Sequence, residues 1–144
     1  MSRFPEQLKP TGAFVSASWA ALGIGIITYI VGLWNAELQL NEKGYYLTVL
    51  LFGLFAAVSL QKSVRDRMEG IAVSSMYYGL CWFGVGSALT LLTVGLWNAS
   101  FPANEKGFYA MAYILSLFAA VTCQKNVRDM GPTRRQAEHS AQDE

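Results

Sequence analysis

Val31–Tyr46 reads VGLWNAELQLNEKGYY, and Val94–Tyr109, 63 residues later, reads VGLWNASFPANEKGFY. In each copy an apolar run ends at Trp-Asn-Ala. A short polar segment follows, and aromatic residues open the next apolar run. A chain of 144 residues has room for one ordinary domain. A motif written twice within it implies two copies of a smaller unit. Working outward without a gap, Phe14–Arg67 aligns with Tyr77–Met130, and 23 of the 54 positions are identical. Beyond the turn, the shared residues concentrate in Leu54–Val58 with Leu117–Val121, and in QKSVRD with QKNVRD.

The distribution of charge fixes the environment of these units. Charged residues make up 15% of the chain, against about 25% in soluble proteins. Asp, Glu, Lys, Arg and His are absent from Pro10–Ala36, Gly44–Gln61, Gly70–Asn104 and Gly107–Gln124, runs of 27, 18, 35 and 18 residues. A bilayer core needs roughly 17–25 apolar residues in a helix, and all four runs qualify. Soluble helices of this length would carry a charged face. The expected fold is therefore an all-α membrane protein. Four transmembrane helices form two tandem helical hairpins of the same orientation, because each unit holds an even number of spans. This is a parallel repeat, unlike the inverted repeats of many transporters. The first repeat is expected at 12–67, the second at 75–130, and a polar, disordered tail at 131–144, after Gly131-Pro132 ends the last helix. Arg3 and Lys9 precede the first run as in a signal peptide. That run is too long for one and aligns with the internal third span, so it reads as a retained helix.

The strings GLWNA…NEKG, LFAAV and QKxVRD resemble the YiaA/YiaB family of bacterial inner-membrane proteins. The resemblance covers both repeats. It implies two membrane helices per domain, joined by a characteristic linking section, in the inner membrane. It brings no biochemical activity with it.

Within the turn, Trp34 and Trp97 stand at span ends, where amphipathic aromatics prefer the headgroup level. Asn41 and Asn104 are expected N-caps of the return helices. Glu42 and Glu105 then fall in the first turn, where the helix dipole favours a carboxylate, and Asn35 and Asn98 help to end the preceding helices. This capped, anchored turn accounts for the motif structurally. The functional alternative is an interaction surface formed by Trp34, Asn35, Asn41, Glu42 and Lys43 beside Trp97, Asn98, Asn104, Glu105 and Lys106. Small residues recur four apart at Ala21/Gly25, Gly53/Ala57, Gly84/Ala88 and Ser116/Ala120, the spacing that lets membrane helices approach closely.

Lys and Arg divide unevenly between the two sides. Nine (Arg3, Lys9, Lys62, Arg65, Arg67, Lys125, Arg128, Arg134 and Arg135) share a side with the termini, and only Lys43 and Lys106 lie with the turns. The positive-inside rule puts the termini in the cytoplasm and the turns in the periplasm. The uncharged spans lack the ionisable residues that mark ion-coupled transport. No His, Cys and carboxylate set converges in one region, so neither a catalytic site, a metal nor a cofactor is indicated. Cys81 and Cys123 read as packing residues, and no clustered basic surface suggests nucleic acid. The expected partners are the lipid bilayer and a homo-oligomer or another membrane protein, with no small-molecule ligand identifiable. The function expected is that of a non-catalytic structural, assembly or stress-response component. The alternative is an oligomeric permease or channel component for a neutral solute.

Overall fold

The structure, a computed structural model, describes residues 9–143, with the backbone alone for 132–138. Four helices follow one another: α1 (Gly12–Asn35), α2 (Leu40–Met68), α3 (Ser75–Asn98) and α4 (Ala103–Gln142). Each is long and apolar enough to cross a membrane, α4 through its segment Ala103–Gly131. α1 and α3 begin alike. Thr11 Oγ1 accepts from the Phe14 amide and Ser74 Oγ accepts from the Tyr77 amide, both at 3.2 Å, satisfying a donor that a helix start otherwise leaves free. α2 ends where Gly70 takes φ +77°, a conformation that glycine adopts without a Cβ penalty. The Ile71 amide then reaches the Asp66 carbonyl and the Gly70 amide reaches that of Arg67, closing the helix in a Schellman turn.

Two expectations about helix ends are corrected. The N-caps of α2 and α4 are Gln39 and Pro102, not Asn41 and Asn104. Both caps are extended, with ψ near 155°, and neither makes a side-chain capping bond. Their carbonyls accept from Lys43 and from Lys106, so each helix starts before its asparagine and places that residue inside the first turn. At the other end, α4 does not stop at Gly131-Pro132 but continues to Gln142. A proline removes one i→i−4 hydrogen bond, and a helix can resume beyond it. The segment read as a disordered tail is thus helical as far as Gln142.

The packing crosses the repeats. α1 lies chiefly against α4 and α3 chiefly against α2, while α2 and α4 meet in the middle. The two helices of one hairpin touch only lightly. Exchanging the repeats maps this pattern onto itself, as expected for two same-orientation units related by a two-fold axis along the membrane normal. Residues at equivalent positions repeat the contact. A Cβ on Gly32 would sit 2.9 Å from the Phe108 ring, and one on Gly95 would sit 2.7 Å from the Tyr45 ring. Asn126 Nδ2 donates to Ser18 Oγ at 3.3 Å between α4 and α1, and Ser63 Oγ lies 3.4 Å from Cys81 Sγ between α2 and α3. Cys81 is therefore one half of a polar contact and not simply an apolar filler.

The centre is filled. Tyr29, Leu50, Tyr113 and Ser116 are fully enclosed. Tyr29 donates to the Tyr46 carbonyl at 2.8 Å and Tyr113 to that of Val49 at 3.0 Å, so both buried hydroxyls are satisfied. Thr28, Thr90 and Thr93 bond to carbonyls within their own helices. Phe55 and Phe118, at equivalent positions, project outward with many other apolar side chains. That surface suits lipid and not water.

Candidate functional site

The crossed packing brings the turn of each repeat against the other repeat. Where α1 ends beside the start of α4, a cavity of about 510 Å³ opens. It is lined by Gly32, Asn35, Glu37, Phe101, Glu105 and Tyr109, among others. Where α3 ends beside the start of α2, a second cavity of about 420 Å³ is lined by Gly95, Asn98, Ser100, Leu38, Glu42 and Tyr46, among others. In the repeat alignment these two sets are the same six positions. The glycines are what allow the crevices to form, since the bare backbone of Gly32 and of Gly95 lets the aromatic rings lie against the helix. In the first crevice the rings form a corner. Phe101 stacks on Tyr109 at 5.3 Å, and Phe108 meets Tyr109 edge-on at 5.6 Å. In the second, the Tyr45 and Tyr46 hydroxyls donate to the Leu91 and Gly95 carbonyls.

Of the residues singled out in the sequence, four line these crevices: Asn35 and Glu105 in the first, Glu42 and Asn98 in the second. Each crevice thus takes its asparagine from one repeat and its glutamate from the other. Asn35 and Asn98 also close their own helices, donating to the Val31 and Val94 carbonyls at 2.9 Å. Trp34 and Trp97 point away, 78% and 82% exposed, as interfacial anchors would. Lys43 Nζ donates to the Trp34 carbonyl at 3.0 Å and lies 5.9 Å from that ring's centre, clasping its own turn. Asn41, Asn104 and Lys106 line neither crevice. Sequence reasoning missed Glu37, Phe101 and the Gly32/Gly95 pair. The glycines were legible as repeated residues. Glu37 and Phe101 carried no such signal, because Ser100 and Leu38 replace them in the other copy.

The opposite end holds a charge network that the sequence presented as two basic stops. Arg65 pairs with Asp129, and Arg128 pairs with Asp66. Lys62 and Lys125 each add a 2.9 Å bridge along their own helix, to Asp66 and Asp129. Glu69 joins both arginines, at 2.7 Å from Arg65 Nε and 2.8 Å from Arg128 Nη2. The hydrogen bond from Arg65 first, then that from Arg128, holds the Glu69 carboxyl below its ordinary value. The network ties α2 to α4 reciprocally and engages the four basic residues that could otherwise face lipid headgroups. Arg67 is turned elsewhere, 4.0 Å above the Tyr78 ring. Among the described residues no group of His, Cys, Asp and Glu is arranged to hold a metal ion.

Comparison with known proteins agrees with this architecture. The family described as "yiaA/B two helix domain" matches twice, at residues 14–66 and 77–129. The chain is 58% identical over 119 residues to "Inner membrane protein YiaA" of Escherichia coli (strain K12), covering 83% of this chain and 82% of that protein. It is 29% identical over 98 residues to "Inner membrane protein YiaB" of the same organism, covering 66% of this chain and 80% of that one. It is also 38% identical over 62 residues to "Uncharacterized membrane protein YubF" of Bacillus subtilis (strain 168), covering 42% of this chain and 71% of that one. No solved structure matches. The chain is a multi-pass membrane protein with two tandem two-helix domains, and it belongs to the YiaA/YiaB family.

Proposed function

We propose that this protein is a non-catalytic component of the bacterial inner membrane, with both termini in the cytoplasm. Its task is structural or in assembly, including under stress, and its periplasmic turn face is the surface that meets a partner. The partner is a second copy or another membrane protein. The observation that carries this reading is the joint construction of the turn face: each crevice draws its residues from both repeats, so the surface exists only in the folded bundle. The filled centre, with Tyr29, Leu50, Tyr113 and Ser116 enclosed, favours it over a permease, which would need a path between the helices. The nine-to-two division of Lys and Arg supports the orientation.

Two experiments test it. A single cysteine at Gln39 or Ser100, with Cys81 and Cys123 replaced, should react with an impermeant thiol reagent in intact spheroplasts, and one at Ser140 should not. The reverse pattern would invert the topology. A photo-reactive residue at Trp34 or Trp97 should give a discrete adduct, identified by mass spectrometry, while one at lipid-facing Phe55 should label lipid only. Solute flux through the purified, reconstituted protein would refute the structural reading.

A further inference from the structure

Around the clasp at the basic end, Asp66, Glu69 and Asp129 are all paired with arginine or lysine. The turn face differs. Among the described residues neither Glu37 nor Glu105 takes part in an ion pair, and both line the 510 Å³ crevice. The same crevice carries the corner of Phe101, Phe108 and Tyr109. Exposed carboxylates and aromatic rings lining one crevice are the chemistry that recognises an ammonium group, by charge and by cation–π attraction. We infer that the crevice between the end of α1 and the start of α4 binds an alkylammonium group. The proposal rests on the reading of the turn face as an interaction surface and names the chemistry that one crevice takes.

Depth fits an ammonium group. The exposed Trp34 and Trp97 rings mark the same end of the bundle as headgroup level. An ethanolamine headgroup in the surrounding leaflet and a free amine in solution are the two sources of such a group. The second crevice is the internal control. It has Ser100 where the first has Glu37, and Leu38 where the first has Phe101. It therefore offers one carboxylate in place of two, and its Tyr45 and Tyr46 hydroxyls are engaged with backbone carbonyls. The ammonium site belongs to the first crevice.

The test uses the full-length protein with two arms. In a maltoside detergent, ethanolamine is titrated against tryptophan fluorescence. In nanodiscs of equal phosphatidylethanolamine and phosphatidylglycerol, retained lipid is counted by native mass spectrometry. The variants are Glu37→Gln/Glu105→Gln, and Glu37→Ser/Phe101→Leu, which installs residues that the second crevice already carries. Saturable binding of ethanolamine, or enrichment of phosphatidylethanolamine over phosphatidylglycerol, is expected. Each variant should weaken it about tenfold, while Glu42→Gln leaves it unchanged. A response in the first arm assigns the site to a soluble amine, and one in the second assigns it to the lipid. Absence of both, or binding that survives both variants, overturns the proposal. If the Trp97 adduct persists while ammonium binding is absent, the interaction-surface reading stands and this one falls.

Discussion

Gly25→Ala is the smallest change that tests the crossed packing. An added Cβ would lie 2.6 Å from Ser116 Oγ, 3.0 Å from the Ser116 amide nitrogen and 3.2 Å from its Cα. Two of these neighbours are backbone, and the third is held by a 2.7 Å bond to the Ala112 carbonyl, so no side-chain rotation makes room. α1 and α4 must separate by several tenths of an ångström along a close-packed seam. Overpacking of this kind costs about 1–3 kcal/mol. The better helix propensity of alanine returns up to about 1 kcal/mol. The net expectation is a loss of about 1–2 kcal/mol, read as an earlier midpoint when the protein is unfolded by SDS in mixed micelles and followed by helical circular dichroism.

The molecule supplies its own controls. Gly23, two residues earlier, has nothing within 4 Å of a built Cβ, so Gly23→Ala should leave the midpoint in place or raise it. The positions equivalent to Gly25 and Ser116 are Ala88 and Gly53, both buried. In the repeat alignment the other copy thus carries alanine where α1 has Gly25, and glycine where α4 has Ser116. Ser116→Gly removes the Oγ contact and leaves the two to the backbone, so Gly25→Ala should cost less on a Ser116→Gly background than on the parent. If Gly25→Ala proves as stable as the parent, the close approach of α1 to α4 is refuted.

The clasp at the basic end should behave as a coupled pair. Arg65→Asp alone should lower the SDS midpoint, and adding Asp129→Arg should cost less than the sum of the two single losses, although the bridges to Glu69 and Lys125 stay broken; additive losses would show that the two residues do not face each other. Glu69 sets a pH dependence. Its carboxyl titrates below the ordinary value of about 4.3, so its contribution is complete above that pH and is lost as pH falls through the lowered value. Glu69→Gln should flatten that part of an acid titration of stability, and an unchanged profile would remove Glu69 from the clasp. Residues 1–69 and 71–144, co-expressed as separate chains, should co-purify as a folded complex. Two halves that fold apart would mean that the hairpins are independent.

Much of this was legible in the sequence, because the bilayer imposes it. Uncharged runs gave the spans, the 63-residue repeat gave their relation, and Trp34 and Trp97 gave the turn end. What the sequence did not disclose is which helix lies against which. Soluble helices reveal their buried face through polar residues on the other one. Here the lipid-facing side is as apolar as the core, as Phe55 and Phe118 illustrate, and that signal vanishes. The information was present in another form, as paired differences between the copies. Ser18 and Cys81 differ, and so do their partners Asn126 and Ser63. The charge clasp was obscured because orientation is read from Lys and Arg alone, which leaves Asp66 and Asp129 without a role. The N-caps failed because a favourable asparagine side chain is only one way to start a helix, and the extended backbones of Gln39 and Pro102 are another.

Crossed packing also explains why the unit is doubled. A lone hairpin leaves α1 without the surface it packs on, since Gly25 approaches Ser116 and Ser18 meets Asn126, both in the other repeat. The 62 residues matched in YubF are 71% of that protein, which leaves room for one 63-residue unit and not for two. A hairpin of this geometry is completed only by a second one in the same orientation, and placing both in one chain removes the dependence on concentration. It also frees the copies to diverge. Tyr29 and Tyr113 stand where the other copy has Leu92 and Leu50, and each tyrosine hydroxyl satisfies itself on a carbonyl of α2. In a symmetric pair of identical hairpins every such change would occur twice, on both sides of the axis. Fusion lets each be made once. The same freedom acts on the surface, where Glu37 and Phe101 set one crevice apart from its twin, so a chain built from two equivalent turns can carry a single site.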